Sequence, residues 1–258
     1  MSIAIFGSGI SGLLAFWACE QSGFSVKDIS MFSDKIDKPL ALGFQYLHSS
    51  CGIGLKSYTL LEEMLHKEYP MDVSSILYSL KVYGKEDVPN SITKIAGHYN
   101  KVSQIYNMNE AIDLLWKRYS GQIIIDKVDS MGELVEKSKK FKIAFSSIPL
   151  NCLLAPDYFE YSKTFVSTFD TNEIKNKVYY DVSLNSPIIR QGSLFGKYFI
   201  ESVEAPKIGN AILMKKVASC TLDLHIPNNL YLIGRYGAWD KSILAHNVYE
   251  DVRRVLSE

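Results

Sequence analysis

The chain opens on an unbroken apolar run, Ser2-Ile3-Ala4-Ile5-Phe6, whose length and lack of alternation predict a buried strand. Gly7-Ser8-Gly9-Ile10-Ser11-Gly12 follows at once. Residues 13–21 then carry apolar side chains at helical spacing, and Gly23 closes that stretch. A second strand is predicted over 29–32, ending at Ser33-Asp34. Further on, Leu60, Leu61, Met64 and Leu65 fall on one helical face and predict an amphipathic helix over 58–69, stopped by Pro70. Alternation predicts a strand over 79–83, followed by a turn-rich stretch over 84–90 and another strand over 99–106. Asn109 reads as the cap of a helix over 110–119, with Ile112, Leu115 and Trp116 inward. An Ile-rich strand over 122–126, a short helix over 133–139 and an apolar strand over 142–148 come next, the last ending at Pro149. Strands over 159–169, 178–182 and 196–201 suit an antiparallel sheet. The chain closes as it began, with a strand over 230–233, the loop Gly234-Arg235-Tyr236-Gly237-Ala238-Trp239-Asp240 and a helix over 243–256.

Strand, glycine turn, helix and strand in that order are the first unit of a dinucleotide-binding sheet. Gly7 permits the tight turn, Gly9 lets the backbone approach a pyrophosphate, and Gly12 lets the helix pack on the strand. The helix start at Ile10 and Ser11 offers unpaired N–H groups and a partial positive charge to phosphates. An acidic residue about 20 positions on would hold a ribose; Asp34 occupies that spacing, with Ser33 as a weaker hydrogen-bonding alternative. The closing strand is expected to rejoin the first sheet and bring a second helix start to the same ligand.

The 258 residues suit one domain or two fused ones, and 47% hydrophobic content supports a sizeable core. Lysine plus arginine and aspartate plus glutamate balance at 28 each, so net charge makes no case for a nucleic-acid or membrane surface. The lysines at 137–142, 175–177 and 215–216 could form a local basic face for nucleic acid, but they read more simply as solvated surface lysines. No apolar run reaches membrane-spanning length and no leader-like segment opens the chain, so a cytoplasmic location is expected. Cys19, Cys51, Cys152 and Cys220 are scattered and read as free thiols, with no zinc-ligand spacing and no metal site expected. The 16 tyrosines and 12 phenylalanines suit either a plain aromatic core or a pocket for flat rings. Gly43-Phe44-Gln45-Tyr46-Leu47-His48 reads as a loop beneath the core or as a wall of such a pocket. Arg190, within an apolar stretch, could clamp an anion or pair with Asp181 or Glu201.

Together the two ends of the chain resemble FAD proteins of the amine oxidase and UDP-galactopyranose mutase type. The resemblance rests on the glycine turn at residues 7–12 and on Tyr231-Leu232-Ile233-Gly234-Arg235-Tyr236-Gly237-Ala238-Trp239, and covers about a third of the chain. Residues 43–48 resemble the segment that lies along the flavin in the mutases, and residues 178–181 and 186–190 more loosely resemble their substrate-sheet strands. Two departures stand out: Ser33-Asp34 replaces the usual Glu at the end of the second strand, and the chain is shorter than such enzymes commonly are.

The resemblance implies an α/β fold: a Rossmann-like FAD-binding domain of glutathione-reductase type with a smaller antiparallel-sheet substrate domain. The first would span residues 1–50, 120–150 and 226–258, and the second residues 51–119 and 151–225. It implies non-covalent FAD, with Gly7, Gly9, Ile10, Ser11 and Gly12 at the pyrophosphate and Ser33 or Asp34 at the ribose. Gly43, Gly234, Arg235 and Trp239 would lie on the flavin side. His48, Tyr46 and Arg190 are the candidates for catalysis, His48 as a general base. The implied activity is oxidation of an amine or amino-acid-like substrate. Alternatives are a non-redox flavoenzyme (a mutase-like isomerase or a lyase), a non-catalytic nucleotide-binding protein, and a plain NAD(P) enzyme. Small flavoproteins of this kind occur in bacteriophages, which adds a nucleobase-linked substrate and a host cytoplasm to the expectations.

Overall fold

A computed structural model describes residues 2–86, 100–206 and 211–258. Two sheets organise it. The first has five parallel strands, β1 (Ile3–Phe6), β2 (Ile29–Ser33), β6 (Ile123–Ile125), β7 (Ile143–Ser146) and β13 (Leu230–Leu232). Their order is β13-β7-β1-β2-β6, so the chain leaves β1 first in one direction and later in the other. That reversal creates a crevice at the carboxyl ends of β1 and β7, where open α/β sheets bind ligands.

Helices cover both faces of this sheet, as the near-continuous burial of β1 requires. On one face lies α1 (Ile10–Gln21), itself covered by α3 (Met108–Tyr119) and α7 (Ala245–Ser257). Leu13, Leu14, Phe16 and Cys19 of α1 are fully buried, so α1 is apolar nearly all round rather than amphipathic. Phe16 and Tyr119 bring their rings within 4.3 Å, and Tyr119 donates a 2.5 Å hydrogen bond to Glu20, which also pairs with Arg118. The Cys19 thiol sits in this core, and burial pushes its pKa up to about 12, so it is an inert packing group. On the other face α4 (Met131–Ser138) and the short α5 (Leu150–Leu153) pack Leu134 and Leu153 against Ala4, Phe6 and Ala144.

The second sheet has eight strands in the order β12-β8-β11-β10-β9-β4-β5-β3. These are β3 (Tyr46–Leu47), β4 (Ser57–Met64), β5 (Asn100–Asn107), β8 (Phe159–Asp170), β9 (Asn176–Tyr180), β10 (Ile188–Leu194), β11 (Lys197–Ser202) and β12 (Ala211–Cys220). Neighbours are antiparallel except β4 and β9, which run parallel. The remaining helix of the region, α2 (Met71–Tyr83), packs near β8 and β10.

Two sequence expectations exchange places here. Residues 57–64 form a strand, not a helix: β4 is bonded on both sides, to β5 and β9, and ladder pairing overrides a four-residue helical signal. Leu60, Glu62 and Met64 are its buried face, at spacing two. Residues 79–83 belong to α2, not to a strand. Pro70 begins this helix rather than ending one, as its fixed φ allows at a helix start. Tyr78 and Val82, four apart, are its buried side, and Gly84 caps it in the left-handed conformation at φ 69°. The cap of α3 is Asn107, whose side chain accepts from the Asn109 amide, so Asn109 lies inside the helix. The other strands and helices form where expected, apart from residues 87–90 of the turn-rich stretch and Tyr99, which lie outside the described residues. Among the described residues no helix is long and apolar enough to cross a membrane.

Candidate functional site

Four parallel strands end at one place. The turn after β1 carries Gly7, Ser8 and Gly9; β2 runs into Ser33 and Asp34; β6 runs into Asp126 and Lys127; β7 runs into Ser147, Ile148 and Pro149. All of these residues line a single cavity of about 1200 Å³ that extends from the strand ends to one face of the eight-stranded sheet.

The three glycines of the turn differ physically. Gly7 has φ 101°, a value side chains rarely adopt, and a Cβ there would fall 2.5 Å from the Ser147 hydroxyl. A Cβ on Gly12 would fall 1.9 Å from the Gly7 carbonyl oxygen, so Gly12 is what lets α1 start directly behind the turn. Gly9 has an ordinary φ of −66°, and a Cβ there would meet no atom of the described residues within 4 Å. The fold therefore requires Gly7 and Gly12, while Gly9 keeps open space over the cavity. No side chain caps α1, and its first turn holds no acidic residue. Its first N–H groups and the positive end of its dipole are left for a ligand, and phosphate is the group this arrangement accommodates. The turn, the uncapped helix start and the cavity fit the pyrophosphate of a dinucleotide.

At the end of β2, Ser33 is buried and accepts a 2.8 Å hydrogen bond from Ser8. Asp34, one residue on, is exposed on the cavity rim. Ser33 thus helps hold the glycine turn, and Asp34 offers the carboxylate.

From the far end of the chain, Gly234 (φ 75°) opens a short helix, α6 (Gly234–Gly237). A Cβ at Gly234 would stand 2.4 Å from the Ser11 hydroxyl, so the returning segment rests directly on the start of α1. Arg235 lines the cavity and donates to the Ile243 carbonyl at 3.3 Å. Tyr236 lines it too, its hydroxyl 2.6 Å from the Lys215 carbonyl. Trp239 is instead buried against Phe159 and Tyr236 and donates to the Ser219 carbonyl, away from the wall. Gly43 also lies off the wall: a Cβ there would press on Val166 at 2.9 Å, so this glycine serves the close approach of the 43–48 segment to β8. Phe44, Gln45, Tyr46 and His48 of that segment do line the cavity.

The inner end of the cavity is a network that only the sheet assembles. Tyr46 and Tyr180 both donate to Oε1 of Glu62 at 3.1 Å. Glu62 is buried, and among the described residues its Oε2 has no hydrogen-bond partner and pairs only loosely with Lys101, 3.9 Å away. Burial, then the neighbouring Glu62 charge, pushes the Tyr46 phenol well above its ordinary range. The Tyr180 phenol is pushed up by burial and by Tyr46. Both stay protonated as donors.

Arg190 pairs through Nε with Glu201 at 2.5 Å and lies over the Phe44 ring at 4.7 Å. Of its two alternative acidic partners, Glu201 is the one it takes. Asp181 is engaged by Lys81 and His66. Lys216, expected as a surface lysine, is a wall residue with only 16% of its side chain exposed, bonded to Glu201 at 3.1 Å and donating to the Tyr78 hydroxyl at 3.1 Å. Burial raises the Glu201 pKa, but Arg190 and Lys216 outweigh it and hold the carboxyl at about 2.

His48 stacks edge-on with Tyr46 at 5.0 Å and with His246 at 5.3 Å, at the cavity edge. Of the residues singled out from sequence, Gly7, Gly9, Ile10, Ser11, Ser33, Asp34, Arg235, Tyr46, His48 and Arg190 share one cavity, while Gly12, Gly43, Gly234 and Trp239 shape it from behind. Glu62 and Tyr78 were not singled out, Tyr180 entered only within the 178–181 strand, and Lys216 only as a surface lysine. The helical reading of 58–69 hid Glu62; a period of two there would have placed it between Leu60 and Met64 on a buried face.

No protein-family model matches this sequence, and no curated protein sequence matches it. Solved structures do match in fold. A reduced UDP-galactopyranose mutase aligns with a TM-score of 0.61 at 9% identity, over 99% of this chain and 94% of that one. A thermophilic tryptophan halogenase from Streptomycin violaceusniger aligns at 0.56 and 10% identity, over 99% of this chain and 73% of the other. A variant of 2-methyl-3-hydroxypyridine-5-carboxylic acid oxygenase aligns at 0.56 and 11% identity, over 99% and 81%. At these identities the likeness is one of fold: a Rossmann-like parallel sheet with a mixed second sheet, as in FAD-binding enzymes.

Proposed function

We propose that the protein is an FAD-dependent oxidoreductase whose substrate is an amine. The cofactor half of this reading is carried by Gly9, whose missing side chain keeps space open over the cavity at an uncapped helix start. Gly7, Gly9, Ile10 and Ser11 would hold the pyrophosphate, and Asp34 the adenosine ribose. Arg235 and the 44–48 segment would flank the flavin. A bound flavin supplies an acceptor for two electrons, chemistry that no side chain of the chain provides.

The amine half is carried by Glu62. Among the described residues this covered carboxylate oxygen has no hydrogen-bond partner, which is costly, and because Glu62 is one of the residues lining the cavity we take a ligand's N–H as the donor it would receive. An amine supplies an N–H donor, and a protonated amine supplies a charge as well. Tyr46 and Tyr180 hold the carboxylate by its other oxygen, which leaves Oε2 with only the Lys101 ammonium, 3.9 Å away, beside it. In this reading Tyr46 is a positioning residue. Proton acceptance falls to Glu62, with His48 at the cavity edge able to relay a proton outward.

An absorption spectrum of the purified protein, with the chromophore released by denaturation and identified, tests the cofactor. Visible flavin bands and released FAD are expected. A colourless protein that cannot be reconstituted with FAD would overturn the reading. Anaerobic mixing with a panel of amines then tests the substrate, bleaching being the expected result. Protein that holds FAD yet is bleached by no amine would return the choice to the non-redox isomerase or lyase.

A further inference from the structure

Charge along the cavity wall is segregated. At the strand ends, Asp34, Asp37, Asp126 and Asp129 face Lys35, Lys38 and Lys127, close to balance. At the inner end, Lys101, Arg190, Lys215, Lys216, Arg235 and Lys241 meet two acids among the described residues, Glu62 and Glu201. Several of these cations have other engagements: Lys215 lies over the Tyr161 ring at 4.6 Å, Lys241 over the Tyr83 ring at 5.3 Å, and Arg235 donates to a backbone carbonyl.

Arg190 and Lys216 differ from the rest. Both are drawn onto one carboxylate, Glu201, itself only 2% exposed. Thr164 donates to the same carboxylate at 3.1 Å, so its acceptor sites are heavily used. Glu201 is ionised at neutral pH, and it cancels one of the two positive charges. Burial works against the Lys216 ammonium, but Glu201 and Tyr78 more than compensate and keep it charged. A net positive charge therefore remains in a nearly dry corner that opens onto the cavity. Holding uncompensated charge out of water is expensive, and the other acid of the inner end among the described residues, Glu62, is engaged by Tyr46, Tyr180 and Lys101. One of the five Arg190 donors is used on Glu201, and two of the three Lys216 donors go to Glu201 and Tyr78. An arginine fork beside a lysine point charge suits an oxyanion. Phe44, Tyr78 and Tyr180 surround the corner with flat apolar faces.

We propose that this corner is the oxyanion subsite of the substrate: a carboxylate or phosphate docks between Arg190 and Lys216, with a flat part of the molecule against Tyr78 and Tyr180. This rests on the amine reading of Glu62, which lies on the same sheet, two strands from Arg190 across β9. Taken together, the two sites select a zwitterion, amine at Glu62 and oxyanion at Arg190 and Lys216, and disfavour a plain amine.

The test is isothermal titration calorimetry on the protein as purified, with its flavin content measured separately by absorbance. The probes are benzoate, phenyl phosphate and the neutral isostere benzamide. At least one of the two anions should bind ten-fold or more tightly than benzamide, and the one preferred distinguishes carboxylate from phosphate. Lys216→Met keeps the buried stem and leaves Arg190 on Glu201; it should erase most of that preference. Benzamide binding as tightly as both anions would overturn the proposal, and the wild-type comparison needs no variant to fold. Anions that bind only to flavin-free protein and are displaced by FAD would also overturn it, since the pair would then serve the cofactor. Oxyanion preference in a protein unable to bind FAD would defeat the cofactor reading and keep the subsite. Flavin without oxyanion preference would do the reverse.

Discussion

Replacing Glu201 by glutamine tests the energetic core of the cavity. The change is nearly isosteric but removes the carboxylate that pairs with both Arg190 and Lys216. In the folded protein those two cations hold the carboxyl at about 2, against an ordinary 4.5. That difference corresponds to about 3 kcal/mol of favourable interaction with the ionised form. Breaking a buried ion pair by removing one partner costs a similar amount, about 3–5 kcal/mol. Glu201→Gln should therefore lose about 3 kcal/mol or more at pH 7, read as a lower urea midpoint by circular dichroism and tryptophan fluorescence. The pH dependence has a definite sign. A carboxyl depressed on folding stabilises above its unfolded value and loses that contribution as pH falls toward its folded value. The gap between wild type and variant should be full at pH 7 and narrow between about pH 4.5 and 2, because a protonated Glu201 resembles glutamine. A loss below about 1 kcal/mol at pH 7, or a gap that does not narrow in acid, would refute the account of Arg190, Glu201 and Lys216 as a coupled buried cluster.

Gly9→Ala and Gly12→Ala should separate ligand from fold. The first meets no protein atom, so urea stability should change by less than about 1 kcal/mol while FAD affinity falls ten-fold or more. The second drives a Cβ into the Gly7 carbonyl and should cost several kcal/mol or prevent folding, as expression and circular dichroism would show. Asp34→Asn should weaken FAD by about ten-fold without moving the urea midpoint, since the residue is exposed. Glu62→Gln should keep the flavin spectrum but slow amine-dependent bleaching by 10²-fold or more, with little loss of stability because the amide can still accept from Tyr46 and Tyr180; unchanged bleaching would remove Glu62 from the reaction.

Local signals were enough for the parallel, Rossmann-like half. A short apolar run, a glycine turn and an apolar helix are adjacent in sequence, and their chemistry is decided by neighbours within a few residues. Gly7 and Gly12 meet across one turn of chain, so their roles were legible as soon as the spacing was. The return of residues 230–232 to the first sheet could be anticipated for a related reason: a buried strand needs partners on both sides, and the sheet it resembled was already identified.

The inner end of the cavity depended on the tertiary structure. Glu62, Tyr180, Arg190, Glu201 and Lys216 come from β4, β9, β10, β11 and β12, separated by up to 154 positions in the chain yet gathered on one sheet, with β8 between the last two. No local pattern encodes which strands will be neighbours, because strand order is set by long-range pairing and burial. For the same reason residues 57–64, whose apolar spacing satisfied a helix as well as a strand, were decided by the two strands bonded to them. The pair Lys215-Lys216 read as solvated charge until the sheet turned Lys216 inward onto Glu201. Sequence determined the glycine turn and the start of the parallel sheet, because these are built from consecutive residues; the structure decided what faces them, because a buried charge takes its meaning from partners that only folding brings within reach.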